Sequence, residues 1–561
     1  MDTPQDQNNQ TPPPITDDMT IIEQHPQAAP PQPAVPTQPQ PPAGIQPQPP
    51  TAATPLPKAT VSDLIYALFL LVLGFCFWDW SALTMVQAGF GTTVLFLSVL
   101  VASFIYLRVK GVKQNAASLI MLVVAFVGAL PFAINGPRDI NPLLVACEIV
   151  FCLLWIMYSC RSALASKLSA VMAGDLFSQL LVVPFANFSR FFTRPLQLLN
   201  KSGKTWVSIL FALLGLVICV PVFALVIWLL TSADNGFSSF MDGFTRFFQS
   251  FNAGQYLFHL VLGIPVAAYI FGVVFGNVYK RHTNHFSEAG WTKGFNSAHT
   301  LPRAMMYLPM VLLALLYVVF IITMANYLFS GLQGNLPVTY TYAEYARQGF
   351  FQLCAVATIN LVILLMVWLL AKRAPGQYPL ALRLLSGLLT LLTCLLIITA
   401  MSKMILYIQI YSLTPLRLYV SWFMLFMLLG FALLVAWHIK PFNAAKPIIV
   451  LGIIFVLVGG LANTNAVIAN YNVDRYLSGN AKQVDITLLE DLGDPAVPAL
   501  YKLKQSTHNQ PMINQAAAAI SLNHSNHQNQ ALNYDNGLTT WGGWPTQNAQ
   551  FLITNWLYTS N

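Results

Sequence analysis

The chain has 561 residues, of which 56% are hydrophobic and only 9% are charged. A soluble globular protein carries about 25% charged residues because its surface must face water, so this composition excludes a soluble fold for most of the chain. The net charge of +8 would suggest nucleic-acid binding in a soluble protein, but in a membrane protein the distribution of the basic residues decides its meaning.

Residues 1–58 form a segment rich in Pro and Gln, which includes the run PQPAVPTQPQPPAGIQPQPP. Such a composition buries too little apolar surface to offset the entropy of ordering, so we expect a disordered tail with polyproline II character. A spacer is the simpler interpretation of this tail. A docking segment for a protein partner that binds proline is the alternative.

Apolar segments long enough to cross a bilayer recur between residues 59 and 471. A span needs about 20 residues, because a helix rises about 1.5 Å per residue and the hydrocarbon is about 30 Å thick. The sequence therefore predicts an all-α, polytopic bundle of transmembrane helices. We expect eleven spans, near 62–79, 89–107, 115–134, 142–160, 205–230, 255–279, 304–329, 349–371, 381–402, 416–438 and 446–465.

The basic residues favour one side of this predicted bundle. With the N-terminus inside, most of the 28 Lys and Arg residues fall on inner segments, and few fall in the short outer loops. The positive-inside rule then predicts a multi-pass protein of the cell membrane with a cytoplasmic N-terminus and an extracytoplasmic C-terminus. Basic residues on the inner side of the lipid bilayer therefore account for the positive net charge, and no nucleic-acid partner is needed to explain it.

Two loops carry amphipathic patterns. The inner loop 161–204 interleaves apolar residues with Arg190 and Arg194, and we expect it to lie on the inner membrane surface, where cations meet anionic headgroups. On the outer side, Phe residues recur at three- and four-residue spacing between 237 and 251. That stripe is typical of an interfacial helix, and a lid over an outward cavity is the alternative.

The chain becomes polar near residue 472, and residues 472–561 predict a small helical domain outside the cytoplasm. Asp494 is the expected N-cap of one of its helices, with Pro495 as the first helical residue. Three tryptophans, Trp541, Trp544 and Trp556, either pack this domain or rest it on the bilayer.

Three polar residues within the spans, Glu148, Asn326 and Asn360, are candidates for an intramembrane site. A carboxylate deep in a span is costly enough to indicate a proton or cation site. The simpler interpretation of Glu148 is a neutral carboxyl hydrogen-bonded between helices, because no basic residue lies in a span core to pair with it. Asparagine amides usually bond between helices, and the predicted spans place these residues at different depths.

The outer side carries a second candidate site, made of Glu344, Arg347, Tyr411 and Arg417. In TYTYAEYARQGFF, Thr341 precedes Glu344 by three residues, which is the spacing of a capping box, and Glu344 can meet Arg347 at i, i+3. In YSLTPLRLYV, the Thr-Pro pair is the expected start of a helix. Helix capping and interface anchoring are the simpler interpretation of this site.

Three segments also carry a family resemblance: TYAEYARQGFFQLCAVATINLVILL, LYIQIYSLTPLRLYVSWF, and the stretch from NYNVDRYLSG to DITLLEDLGDPAVPAL. Together they resemble a bacterial membrane family catalogued as domain of unknown function four-one-seven-three, over about residues 60–510. Where many relatives read tyrosine–glycine–leucine–threonine, this chain has Tyr411, Ser412, Leu413 and Thr414. The resemblance implies a topology and no activity.

No Walker A, HExxH, GxSxG or G-x-G-x-x-G motif occurs, and the sensor-kinase pattern of a dimerising His helix with an ATP lid is also absent. We therefore expect a non-enzymatic signalling, scaffold or envelope-associated protein with no cofactor. A secondary transporter or flippase-like protein is the first alternative, since Pro184, Pro221 and Pro265 hint at broken helices. A membrane glycosyltransferase, with Asp79 in its first outer loop, is the last.

Overall fold

A computed structural model describes residues 57–80, 89–135, 138–162, 172–199, 253–283, 299–333, 350–372 and 379–535, with three isolated positions at 226, 230 and 297. This described part is α-helical and contains no strands, which confirms the predicted all-α membrane fold. Several predictions lie outside these residues: the Pro-rich tail, nearly all of the span 205–230, the Phe stripe, Glu344 with Arg347, and the three C-terminal tryptophans.

The first helices pack on one another in a group that we call the N-terminal bundle. Its helices are α1 (Val61–Trp80), α2 (Phe90–Val109), α3 (Ala116–Ala129), α4 (Pro131–Ile134), α5 (Asn141–Ser159), α6 (Met172–Phe177), α7 (Val183–Asn187), α8 (Arg190–Leu199) and α9 (Ala253–Val278), with a π-helix at Ser178–Val182. Helices α1 and α9 approach so closely at Gly74 and Gly263 that a Cβ on either residue would overlap the backbone of the other.

Helices α6 to α8 come from the loop that was expected on the membrane surface. Their inner side packs on α9, where Tyr269 donates a hydrogen bond to the Leu180 carbonyl at 2.8 Å. Apolar side chains such as Phe177 and Phe185 are exposed on the other side. Arg194, which was expected to reach headgroups at the surface, is instead buried with 2% of its area exposed, because α8 packs the face that carries Phe191 and Arg194 against α1 and α9.

The second group of membrane helices, the C-terminal bundle, comprises α10 (Arg303–Gln333), α11 (Phe350–Leu370), α12 (Leu380–Tyr411) and α13 (Pro415–Ile439). Its core joins Ala357 of α11 to Leu389, Leu396 and Ile397 of α12, all of which are buried. Thr414 lies at the N-cap of α13 and Pro415 is its first residue, as predicted, but the Thr414 side chain makes no capping hydrogen bond.

A bent pair of helices, α14 (Ala445–Leu461) and α15 (Thr464–Leu477), follows, with an angle of 68° between them. Helix α14 contacts α3, α4 and α5 as well as α13, so it joins the two bundles. At the bend, Arg138 donates to the carbonyls of Ala462 at 2.8 Å and Gly460 at 2.9 Å, and Asn135 donates to Gly460 at 3.0 Å. Burial lowers the pKa of Arg138, and the carbonyl dipoles that it meets favour its charge.

The chain continues with α16 (Ile486–Asp491), a 3-10 helix (Asp494–Ala496), α17 (Val497–Ser506) and α18 (Gln510–Asp535), and we use the name C-terminal domain for α15 to α18. Its core begins before residue 472, because Ile468 and Ala469 of α15 are fully buried in it. The prediction that Asp494 is an N-cap is wrong. Asp494 is the first residue of the 3-10 helix, and Gly493, with a φ of +67°, takes the cap position that an L side chain would strain.

Eight helices of the described chain are long and apolar enough to cross a membrane, or nine if the bent pair forms one span. The apolar part of α1 is shorter, at Val61–Phe77. These helices coincide with the predicted segments apart from 205–230. The total of eleven spans stays a prediction.

Candidate functional site

Glu148 lies in α5 and is fully buried against α3. Its Oε1 accepts a hydrogen bond from the thiol of Cys152 at 3.4 Å, and its Oε2 has no partner among the described residues. A Cβ on Gly128 of α3 would overlap Oε2. The carboxyl therefore faces the bundle, and its one hydrogen bond among the described residues comes from a thiol of its own helix, so the expected hydrogen bond between helices stays a prediction.

Asn360 is the centre of a polar connection between three helices of the C-terminal bundle. Tyr317 of α10 donates to its Oδ1 at 2.7 Å, and its Nδ2 donates to Thr393 Oγ1 of α12 at 2.9 Å. Asn326 also lies in α10, but its side chain is outside the described set. Since Glu148 and Asn360 belong to helices of different bundles, the described structure does not unite them in one intramembrane site.

The turn between α12 and α13 holds the predicted residues Tyr411 and Arg417 together. Arg417 Nη1 donates to the carbonyls of Tyr411 at 2.6 Å and Ser412 at 2.5 Å, and its guanidinium lies 4.2 Å from the centre of the Tyr407 ring. Ser412 has a φ of +70°, a left-handed conformation that favours glycine. The arginine thus helps to hold a turn that the serine adopts at a conformational cost.

The same turn is bound by the C-terminal domain. The Leu413 N–H donates to Asn472 Oδ1 at 2.8 Å, and Asn472 Nδ2 donates back to the Leu413 carbonyl at 2.8 Å. The Leu413 side chain is buried in the core of that domain, and Arg475 donates to the Ile408 carbonyl at 3.1 Å. Asn472 and Arg475 could not be identified from the sequence, because nothing local shows that they contact a turn so far upstream in the chain.

Beside this turn lies a groove of about 1250 Å³, which we call the Tyr411 groove. The end of α12 forms one wall, and the C-terminal domain forms the other with residues 480–487, Glu490 and part of α18. Its charged side chains are Lys482, Asp485 and Glu490, and glutamines and Asn480 supply much of the remaining polar lining. Asp485 Oδ1 also accepts from the Leu488 N–H at 3.1 Å and so caps α16.

A metal centre has no candidate in the described part of the chain, where no three His, Cys, Asp or Glu side chains cluster to hold an ion. The groove therefore offers amides, two carboxylates, one ammonium group and an exposed tyrosine edge. Those groups can bind a polar ligand by hydrogen bonds and charge.

Comparison with known proteins gives one match. Residues 116–503 match the family described as Domain of unknown function (DUF4153). No curated protein matches the chain, and no solved structure does. The segments that carried the resemblance lie between residues 341 and 500, inside the match, so a family of unknown function is confirmed and the number four-one-seven-three is wrong. The chain belongs to the family of the domain of unknown function DUF4153.

Proposed function

We propose that the protein is a non-enzymatic scaffold of the bacterial cell membrane, whose helical bundles present the Tyr411 groove to a partner outside the cytoplasm. One observation carries the proposal. Both walls of the groove are joined by the paired hydrogen bonds between Asn472 and Leu413. The membrane helices and the C-terminal domain build the groove together. A partner bound there would therefore contact both parts of the protein.

The orientation in this proposal is supported by contacts between loops. Arg138 follows α4, whereas Ala462 follows α14, and the two residues are hydrogen-bonded and must lie on the same side of the bilayer. Six described helices between them, α5 and α9 to α13, are long and apolar enough to cross a membrane, and we count α14, the first half of the bent pair, as a seventh crossing. An even number of crossings is needed, so this contact supports the prediction of one more span, at 205–230. Together with the positive-inside rule, it favours an extracytoplasmic groove.

The chemistry of the groove favours an extended, polar segment of a partner protein. Small-molecule sites are usually enclosed and mostly apolar, whereas this groove is open and lined largely by polar side chains. Asp485 and Glu490 outnumber Lys482, so a segment that carries a basic side chain is favoured.

Transport is less well supported. Transporters often bind cations with carbonyls freed at a helix break, but at the break between α14 and α15 the carbonyls of Gly460 and Ala462 accept from Arg138. The glycosyltransferase alternative was suggested in part by Asp79, which was expected in the first outer loop. Asp79 instead lies in the last turn of α1.

Orientation is tested by labelling single cysteines in a cysteine-free variant with a membrane-impermeant maleimide. We expect Ser506→Cys to react in intact cells, and Ser202→Cys to react after the cells are opened. The reverse pattern would place the groove in the cytoplasm and end the proposal.

The groove is tested by placing a photo-crosslinking amino acid at Gln483 or Gln515, which line it, and at Lys504, an exposed position outside it. We expect one adduct at both groove positions that is absent at Lys504 and weakened by Glu490→Lys, which reverses the charge offered to a basic segment. Adducts that are equal at all three positions, or unchanged by Glu490→Lys, would contradict a specific binding groove.

A further inference from the structure

A buried ionic cluster lies where α1 begins and α2 ends, in the N-terminal bundle. Asp63 is fully buried and accepts from the Thr60 N–H at 3.1 Å and from Tyr106 Oη at 2.8 Å. Lys110 Nζ is 2.5 Å from Asp63 Oδ1, and Arg194 Nε of α8 is 3.8 Å from Oδ2. We call Asp63, Lys110 and Arg194 the Asp63 cluster. It holds two cations and one acid.

Only one of the three guanidinium nitrogens of Arg194 has a hydrogen-bond partner among the described residues. Its Nη1 donates to the Pro57 carbonyl at 2.8 Å, and its guanidinium lies 5.1 Å from the Phe275 ring centre and 5.3 Å from that of Tyr279. Nε and Nη2 are buried and have no hydrogen-bond partner within the described residues. The 3.8 Å to Asp63 is too long for a hydrogen bond.

The two unpartnered nitrogens form one edge of the guanidinium plane. That edge matches two oxygens of a single phosphate or carboxylate, which is the strongest arrangement for such a contact. Arg138, the other deeply buried arginine described above, differs because both of its Nη atoms donate to backbone carbonyls. Among the described residues, Arg194 therefore has two buried nitrogens without a hydrogen-bond partner on one edge, whereas Arg138 has one, its Nε.

The surroundings of the cluster are strongly basic. The acids at this end of the described bundle are Asp63 and Asp175, and both are buried. The other basic residues there are Lys58, Arg108, Lys113, Arg161, Arg190, Lys280 and Arg281. Five of them, Lys58, Arg108, Lys113, Arg161 and Lys280, are exposed. This excess of positive charge at the ends of membrane helices suits an anionic group at headgroup depth.

We propose that the Asp63 cluster binds a phosphate group, and that the phosphate belongs to an anionic phospholipid of the adjacent leaflet. The Nε–Nη2 edge of Arg194 supplies two donors, and Lys110, whose side chain is 9% exposed, supplies the second charge. Asp63 keeps its bonds to Thr60 and Tyr106 and competes with the phosphate for both cations. Asp63 can neutralise only one of the two positive charges of Lys110 and Arg194, and the phosphate neutralises the other.

Native mass spectrometry of the full chain, extracted in detergent and mixed with equal amounts of phosphatidylglycerol and phosphatidylcholine, tests the site. We expect preferential retention of phosphatidylglycerol. Arg194→Lys keeps the charge but removes the two-donor edge, and should lower this preference about tenfold, as expected for the loss of a charge-assisted contact. Lys113→Gln, which removes an exposed charge at the same end, is the matched control and should leave most of the preference.

Asp63→Asn separates ligand binding from a structural role. It removes the competing carboxylate, so phosphatidylglycerol retention should rise even if the melting temperature falls. A purely structural cluster would lose stability in this variant without any gain in retention, and that result overturns the proposal. So does equal retention of both lipids by the wild-type chain.

Inorganic phosphate in detergent without anionic lipid distinguishes the source of the phosphate. If it raises the melting temperature of the wild-type chain but not of Arg194→Lys, and phosphatidylglycerol gives no further increase, the site binds phosphate but the lipid assignment is wrong. If phosphatidylglycerol alone stabilises the chain, the headgroup assignment is supported.

Discussion

Asn360 in the C-terminal bundle and Glu148 in the N-terminal bundle are both polar side chains buried completely among membrane helices. Asn360 accepts from Tyr317 and donates to Thr393, so its amide joins three helices. Glu148 meets the thiol of its own helix and the bare backbone side of Gly128. Within the described structure, Asn360 therefore links helices, whereas Glu148 packs without a hydrogen bond to another helix.

This difference separates structural from functional candidates. The side chain of Asn360 uses both its carbonyl and its amide group on neighbouring helices, so the fold explains its presence. Glu148 Oε2 has no partner in the described structure, and nothing in the packing requires a carboxyl at that position. Of the two, Glu148 stays the candidate for a proton or cation site.

The largest loss of stability is expected from a substitution at Gly128, against which the Glu148 carboxyl packs. In Gly128→Val, the new Cβ overlaps Glu148 Oε2 and would also lie 3.0 Å from the Phe151 ring. Overpacking of this kind costs about 1–3 kcal/mol, so the melting temperature of the purified protein should fall. Gly430→Val in α13 is the matched control, because a Cβ there meets nothing within 4 Å.

A second variant decides whether the cost of Gly128→Val arises at Glu148. Glu148→Ala removes the side chain that is in the way, so the double variant should lose less stability than the sum of the two single variants. Strict additivity would mean that the two residues do not contact each other, and the contrast with Asn360 would fail.

A moderate effect is expected at Asn360. Asn360→Leu keeps the volume but removes two hydrogen bonds between helices, which in membranes are worth about 0.6 kcal/mol each on average. The free energy of unfolding in a denaturing detergent should fall by about 1 kcal/mol. Tyr317→Phe in the Asn360→Leu background should add little, since its partner is already gone. A large additional loss would show that Tyr317 does not depend on Asn360.

The sequence could predict the features that depend on local pattern and not those that depend on distant contacts. Hydropathy located the helices and the Thr-Pro pair located the start of α13, because both follow from composition over one or two turns. The hydrogen bonds between Asn472 and Leu413, and the Asp63 cluster, join residues far apart in the chain. Capping at Asp494 failed because the positive φ of Gly493 decides that turn, and periodicity could not show that a glycine faces Glu148.

The smallest effect is expected for Glu148→Gln. The amide has the shape of a neutral carboxyl, and the only hydrogen bond that the described structure gives Glu148 comes from the Cys152 thiol to Oε1, which an amide oxygen can also accept. The free energy of unfolding should change by less than about 0.6 kcal/mol, the average worth of one hydrogen bond within a membrane protein.

The sharper measurement is the dependence of the melting temperature on pH, with Glu490→Gln in the C-terminal domain as a control acid outside the membrane helices. A structural carboxyl gives the same pH profile in the wild type and in Glu148→Gln, whereas a proton or cation site loses part of its profile in that variant alone. A loss of several kcal/mol would instead mean that an ionised Glu148 holds the bundle together through a cation, and Glu148 would then resemble Asn360 rather than contrast with it.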